Sequence, residues 1–224
     1  MTLKAVLFDL DGTLLDTAPD FVTALNALLT EEKRPALDYQ SIRNTVSNGA
    51  KALVQLGFQL DETDADFERL RLRLLALYNQ HLADQTRPFD GIHDVLAFAS
   101  EQGMSWGVVT NKPLLYTEPL LKQMPFHVAP HTVICPEDVT HRKPHPEPLL
   151  LACKQLACKP GEAIYLGDHR RDIESAQNAS MLTIACAYGY IDTNEDIADW
   201  HADYTVQHAR EIIPVLKKIL DSHL

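Results

Sequence analysis

The chain is poor in basic residues. Lysine and arginine number 20 against 31 aspartates and glutamates in 224 residues, a formal net charge of −11. No long basic run offsets this, which argues against nucleic acid or an anionic membrane as a partner. Long apolar runs are also missing. No stretch approaches the roughly 18–20 unbroken apolar residues of a membrane span. The apolar segment behind Met1-Thr2-Leu3-Lys4 runs straight into Asp9, too short and too acidic for a secretion signal. Cysteine is sparse. Cys135, Cys153, Cys158 and Cys186 contain no C-x-x-C pair and are too few for a disulfide scaffold. They read as reduced, mostly buried thiols of a cytoplasmic protein. The ten histidines include no H-E-x-x-H and no H-x₃-H on a helical stripe, so scattered surface or core histidines are expected rather than a metal cluster. Internal repeats and low-complexity tracts are absent.

What remains is an ordinary folded chain, 46% hydrophobic and 23% charged, long enough for one large domain or a domain carrying an insert. Short apolar runs predict strands at Ala5–Phe8, Trp106–Val109, Thr132–Cys135, Ala163–Leu166 and Leu182–Ala187, with a weaker one at Tyr204–Val206. Helical stripes lie between them. Ile92, Val95, Leu96 and Ala99 make one, Leu149, Leu150, Cys153 and Leu156 another, and Ile212, Val215, Leu216 and Ile219 a third. Strands alternating with helices predict an α/β fold, a parallel sheet with helices on both faces. From Asp16 to Arg87 the alternation stops. Phe21, Leu25, Leu28 and Leu29 give one helical face. Ile42, Val46, Leu53 and Leu56 give a second, with a break at Asn48-Gly49, and Phe67, Leu70, Leu74, Leu77 and Tyr78 give a third. The alternating Leu70–Leu74 run fits a strand as well, but its good helix formers and longer stripe favour helix. The expected organisation is therefore a core of residues 1–15 and 88–224 with an all-helical insert at 16–87.

The polar residues follow the strands. Strand one ends in Asp9-Leu10-Asp11-Gly12-Thr13, strand two in Thr110-Asn111-Lys112, and strand four in Gly167-Asp168 with Asp172 four residues on. Lys143 follows strand three. Ligand sites of open parallel sheets form beyond the carboxyl ends of the strands. Four carboxylates there repel one another unless a cation offsets them, and Mg²⁺ is the hard ion that combines carboxylate oxygens with water and phosphate. Lys143 adds a point charge for a phosphoryl oxygen or a nucleophilic carboxylate. Thr110 supplies a hydroxyl, and Gly12 permits close backbone approach. An Asp can attack phosphorus, and a second Asp can protonate the leaving oxygen and later activate water.

These residues resemble the four motifs of the haloacid dehalogenase (HAD) superfamily phosphatases. Asp9-Leu10-Asp11-Gly12-Thr13-Leu14 resembles the first, Val108–Lys112 the second, Lys143 in Lys143-Pro144-His145-Pro146 the third, and Gly167–Asp172 the fourth. The resemblance implies a Rossmann-like core with a C1-type helical cap. It also implies roles: Asp9 as nucleophile, Asp11 as general acid/base, and Thr110 as a hydrogen-bond donor to the transferring phosphoryl group, with Gly12 and Asn111 around the phosphate. Lys143 would stabilise the phospho-enzyme. Mg²⁺ would sit on Asp9, the Asp11 carbonyl and Asp168, with Asp172 ligating through water or orienting the others. Ser47, Asn48 and Gly49 would form a substrate-facing loop in the cap. His169 departs from the Asp or Ser that many relatives carry there, which puts a carboxylate or hydroxyl near the metal in doubt.

The resemblance implies a Mg²⁺-dependent phosphatase for a small-molecule phosphate ester, a monomer or homodimer, working through an aspartyl-phosphate. The overall pattern, including Tyr188-Gly189-Tyr190, is similar to the phosphoglycolate phosphatase group. Other stretches, among them Trp106–Pro113, Pro148–Cys153, Arg171–Ser175 and Trp200–Asp203, are similar to the N-acetylmuramic acid 6-phosphate phosphatases. A dehalogenase has no use for an acid at position 11, because halide leaves without a proton. A phosphomutase shares all four motifs, and separating it requires its product. A phospho-acceptor signalling module lacks the insert, and a dead binding protein would have lost a motif carboxylate.

Overall fold

The computed structural model describes residues 3–192 and 194–221. Its chain divides into two compact units, Met1–Leu15 with Pro88–Leu224, and Asp16–Arg87. In chain order, β1 (Ala5–Phe8) is followed by a two-residue strand, β2 (Leu15–Asp16). Four helices come next: α1 (Ala18–Glu31), α2 (Tyr39–Thr45), α3 (Gly49–Phe58) and α4 (Phe67–Gln80). A second two-residue strand, β3 (Arg87–Pro88), ends this interval. The alternation then resumes with α5 (Ile92–Glu101), β4 (Ser105–Val109), α6 (Leu114–Gln123), β5 (Thr132–Ile134) and α7 (Glu147–Gln155). It closes with β6 (Ala163–Gly167), α8 (Arg170–Asn178), β7 (Leu182–Cys186), β8 (Tyr204–Val206) and α9 (Ile212–Asp221).

The first unit is built on a six-stranded sheet of order β5-β4-β1-β6-β7-β8. Every pairing in it is parallel. Such a sheet must be covered on both faces, so its strands read as continuous apolar runs rather than alternating ones. All four residues of β1 and all five of β6 are buried. Helix α7 packs on β4 and β5, and α8 on β6 and β7.

Register fixes where the strands end. Phe8 pairs with Val108 on one side and with Leu166 on the other. The residues just past β1, β4 and β6 therefore stand level at one edge. The order also reverses at β1, because the chain moves out to β4 and β5 on one side and returns to β6 on the other. That reversal is the switch point at which open α/β sheets bind ligands.

The second unit is all helical between its two ends. Phe21 of α1 stacks on Tyr78 of α4 with ring centroids 3.8 Å apart and planes 6° from parallel, a pair worth about 0.5–1.5 kcal/mol beyond its buried area. Asp20 is fully buried in the first turn of α1. Its carboxylate accepts from the Gln85 N–H (2.8 Å), the Thr86 N–H (3.2 Å) and the Thr86 hydroxyl (2.6 Å). Burial of a carboxylate is tolerated when its oxygens are satisfied in this way. The bonds tie the segment where the unit begins to the one where it ends. Asp38 caps α2 by accepting from the Ser41 N–H at 2.9 Å. The 3₁₀ turn Val46–Asn48 separates α2 from α3.

Small differences from the sequence reading have local causes. The Leu70–Leu74 run is helical, inside α4, with Leu70 and Leu74 buried and Leu72 exposed. Strand β5 stops at Ile134, because Cys135 opens a 3₁₀ turn at Pro136–Asp138. Helix α6 carries Pro119 inside it, a residue that removes a helix hydrogen bond. Among the described residues no helix is long and apolar enough to cross a membrane.

Candidate active site

Asp9 is the first residue past β1, and its N–H continues the ladder by donating to the Leu166 carbonyl at 2.8 Å. Three positions on, the chain turns sharply, with Gly12 at φ +81°. A side chain on Gly12 would run into the Asp168 carboxylate and the Tyr190 ring. Only glycine combines that backbone conformation with that approach. The turn points Thr13 back into the site, where its hydroxyl donates to Asp168 Oδ1 at 3.0 Å. The Tyr190 N–H donates to Asp168 Oδ2 at 2.8 Å.

Lys143 reaches this edge from the loop after β5. Its ammonium is surrounded by four oxygens: Asp9 Oδ1 (2.9 Å), Asp172 Oδ1 (2.7 Å), the Val109 carbonyl (2.9 Å) and the Tyr165 hydroxyl (2.7 Å). Its side chain is 1% exposed, as against 9% for Asp9 and 0% for Asp172. Burial works against the lysine charge, but Asp172 and Asp9 outweigh it, and the net shift is upward. The Tyr165 hydroxyl itself donates a hydrogen bond to the Val109 carbonyl at 2.7 Å. Nothing in the sequence marks Tyr165, which reads as one more apolar-strand residue of β6.

Asp172 sits in the first turn of α8. Its Oδ2 accepts from the His169 N–H at 3.1 Å, the return bond of a helix cap. His169 is the cap residue itself, and its Nδ1 accepts from the Arg171 N–H at 3.2 Å. Burial, aided by Arg171, pushes the His169 imidazole down to about 4. A neutral ring can accept at Nδ1, so His169 performs the capping usually left to Asp or Ser. The departure from the motif is thereby absorbed at the helix end.

Donor atoms of Asp9, Asp168 and Asp172 lie within 4.8 Å of one another. Three buried carboxylates face one buried ammonium, which leaves negative charge uncompensated. Asp168 shows the result: burial, then Asp9 and Asp172, push its carboxyl up to about 7. Burial and Asp9 also push Asp172 upward against the pull of Lys143. An all-oxygen donor set with surplus negative charge fits a hard divalent cation such as Mg²⁺.

The second-strand residues close the site. Thr110 is buried, and its Oγ1 accepts from the Lys112 N–H at 3.1 Å. The Asn111 amide donates to the Lys143 carbonyl at 3.0 Å, which ties the loop after β4 to the one carrying Lys143. Lys112 reaches across to Asp11, at 2.9 Å from Oδ1 and 3.2 Å from Oδ2. Asp9, Asp11, Gly12, Thr110, Asn111, Lys143, Asp168 and Asp172 thus share one edge of the sheet. Ser47 and Asn48 lie in the 3₁₀ turn of the helical unit, and Gly49, at φ +80°, opens α3. The histidines are less scattered than their spacing suggests, since His141 and His145 gather with Glu147. Glu147 there accepts from the Thr140 and His141 N–H groups, each at 2.9 Å, and fastens the loop.

The parallel order reversing at β1, with carboxylates and a buried lysine at that reversal, defines an α/β protein of the Rossmann-like class with its site at the switch point. Residues 6–186 match the haloacid dehalogenase-like hydrolase family. The chain belongs to that family. It is 46% identical over 220 residues to an N-acetylmuramic acid 6-phosphate phosphatase of Pseudomonas aeruginosa, covering 98% of this chain and 97% of that one. It is 36% identical over 210 residues to a phosphoglycolate phosphatase of Xanthomonas campestris, covering 93% and 94%. The crystal structure of a predicted phosphoglycolate phosphatase from Haemophilus somnus superposes with a TM-score of 0.85 at 25% identity, covering 96% and 99%.

Proposed function

We propose that the protein is a Mg²⁺-dependent phosphomonoesterase working through an aspartyl-phosphate on Asp9. The observation that carries the reading is the buried Lys143 ammonium, 2.9 Å from Asp9 Oδ1 and 2.7 Å from Asp172 Oδ1. It orients one oxygen of Asp9 and leaves the other to attack phosphorus. As the Asp9–phosphorus bond forms, the bond to the leaving oxygen breaks, and Asp11 gives that oxygen a proton. Asp11 then takes a proton from water. The water oxygen bonds to phosphorus, and the Asp9–phosphorus bond breaks to return the carboxylate.

Thr110 has its hydroxyl oxygen occupied by the Lys112 N–H, so its proton is available to a phosphoryl oxygen. Asp9, Asp168 and Asp172, with the Asp11 carbonyl, would hold the cation, which supplies charge neutralisation for the phosphoryl group when bound. Asn111 supports Lys143 from the neighbouring loop. In this reading the helical unit 16–87 is a cap that limits water and selects the leaving group, and Ser47, Asn48 and Gly49 read the substrate. Replacing Ser47 or Asn48 should then alter preference among natural esters more than turnover of p-nitrophenyl phosphate. Equal losses on both would remove them from substrate reading.

The substrate is proposed to be N-acetylmuramic acid 6-phosphate, because the Pseudomonas phosphatase named for it is 46% identical to this chain, against 36% for the Xanthomonas phosphoglycolate phosphatase. 2-Phosphoglycolate is the second reading. Comparing kcat/KM for the two esters and a panel of sugar phosphates tests this. A preference above about a hundredfold, worth about 2.7 kcal/mol of transition-state discrimination, assigns the substrate. Preference for 2-phosphoglycolate would overturn the first choice.

A further inference from the structure

Lys112 is a second buried lysine at the site, and the four motif roles leave it without a task. Its side chain is 5% exposed and that of Asp11 is 17% exposed. The ammonium stands within hydrogen-bond distance of both Asp11 oxygens, 2.9 and 3.2 Å away. Its backbone is held at both ends. The N–H donates to Thr110 Oγ1 at 3.1 Å, and the carbonyl accepts from Thr117 Oγ1 at 3.2 Å, with Thr117 fully buried in the first turn of α6. Two points of contact from a fixed base restrict the torsions of a short aspartate side chain. A carboxyl on a turn would otherwise sample several orientations, only some of which present it to a leaving oxygen.

We propose that Lys112 is a positioning residue for Asp11, setting the carboxyl orientation from which the proton reaches the leaving oxygen. The same lysine aligns Thr110, since its N–H occupies the threonine oxygen and turns the hydroxyl proton outward. One residue thus coordinates the donor to the phosphoryl group with the donor to the leaving group. The inference rests on the acid/base reading of Asp11 given above.

The leaving group provides the test. An alkyl phosphate needs a proton on its departing oxygen, whereas p-nitrophenolate departs without one. Lys112→Met should lower kcat/KM for an alkyl phosphate such as a sugar 6-phosphate by about 10- to 100-fold, within the range of general acid catalysis. It should lower kcat/KM for p-nitrophenyl phosphate by less than about threefold, because no proton transfer is lost there. A purely structural lysine would reduce both together. Lys112→Gln, which keeps a hydrogen-bond donor, carries the same comparison if the methionine variant does not fold. Equal losses on the two substrates, or no loss on either, would overturn the inference. Asp11→Asn separates it from the reading beneath. If that variant lowers kcat/KM, which reports formation of the phospho-enzyme and not its hydrolysis, alike for both esters, the acid role of Asp11 fails. If it is selective and the Lys112 variants are not, the positioning role alone fails.

Discussion

Lys143 and Asp172 meet at 2.7 Å with both side chains out of solvent, although one lies on a loop and the other opens α8. The pair joins the segment after β5 to the one after β6, and Asp9 is drawn into it through the same ammonium. Breaking one partner of a buried pair costs about 3–5 kcal/mol, because the other charge is left buried and unpaired. Lys143→Met should therefore reduce urea-unfolding stability by about that amount in metal-free buffer near neutral pH. It should also remove phosphatase activity. Unchanged stability would mean that Asp9 and Asp172 relax into water when the lysine is gone.

Chelation should abolish activity and Mg²⁺ should restore it. Binding to the folded state alone adds about 2.7 kcal/mol of stability at a hundred times Kd, so the melting temperature should rise with Mg²⁺ concentration. Asp168→Asn should weaken both responses, since Asp168 is one of the three clustered carboxylates. Full activity in excess EDTA would refute the metal role.

Gly12 and Gly49 share a positive φ, +81° and +80°, but their surroundings differ. Nothing stands within 4 Å of a side chain added at Gly49, whereas one added at Gly12 meets Asp168 and Tyr190. Gly49→Ala should cost only the backbone strain of a region that glycine alone adopts readily, φ +80° with ψ −176°, about 1–3 kcal/mol. Gly12→Ala should cost more and also displace Asp168, lowering Mg²⁺ affinity. Thermal melts and metal titrations of the two variants check the contrast.

Burial pushes the Cys135 thiol up to about 11 and the Cys153 thiol up to about 12. Since the thiolate is the reactive form, both should resist iodoacetamide at about pH 8 in the folded protein and react on denaturation. The raised values also give a sign. Above the ordinary thiol value of 9.0 the unfolded chain loses these protons while the folded chain keeps them. Stability should thus fall as pH rises from about 9 toward about 12, and less steeply in Cys153→Ala. Rapid alkylation of the native protein would contradict the burial.

The strands were legible because a buried parallel strand has no polar face to confuse the pattern. Ala5–Phe8 and Tyr204–Val206 fall where the apolar runs place them. The helices of 16–87 were legible from stripes such as Phe67, Leu70, Leu74 and Leu77, all buried. Contacts made only by the fold were not legible. Tyr165 looks like a core residue until β6 sets its hydroxyl against Lys143. Thr13 sits inside a motif, yet its bond to Asp168 spans 155 positions. Lys112 follows Asn111 as one more basic residue, and only the level strand ends bring it to Asp11. His169 looked like a loss, and helix capping explains it.

The most direct measurement of the central claim is phosphate release by Asp9→Asn, with folding checked by circular dichroism and Mg²⁺ present. Covalent catalysis through Asp9 predicts a folded protein whose kcat falls by at least about a thousandfold, the scale on which loss of a nucleophile acts. A folded Asp9→Asn variant that keeps more than about a tenth of wild-type turnover would contradict the aspartyl-phosphate.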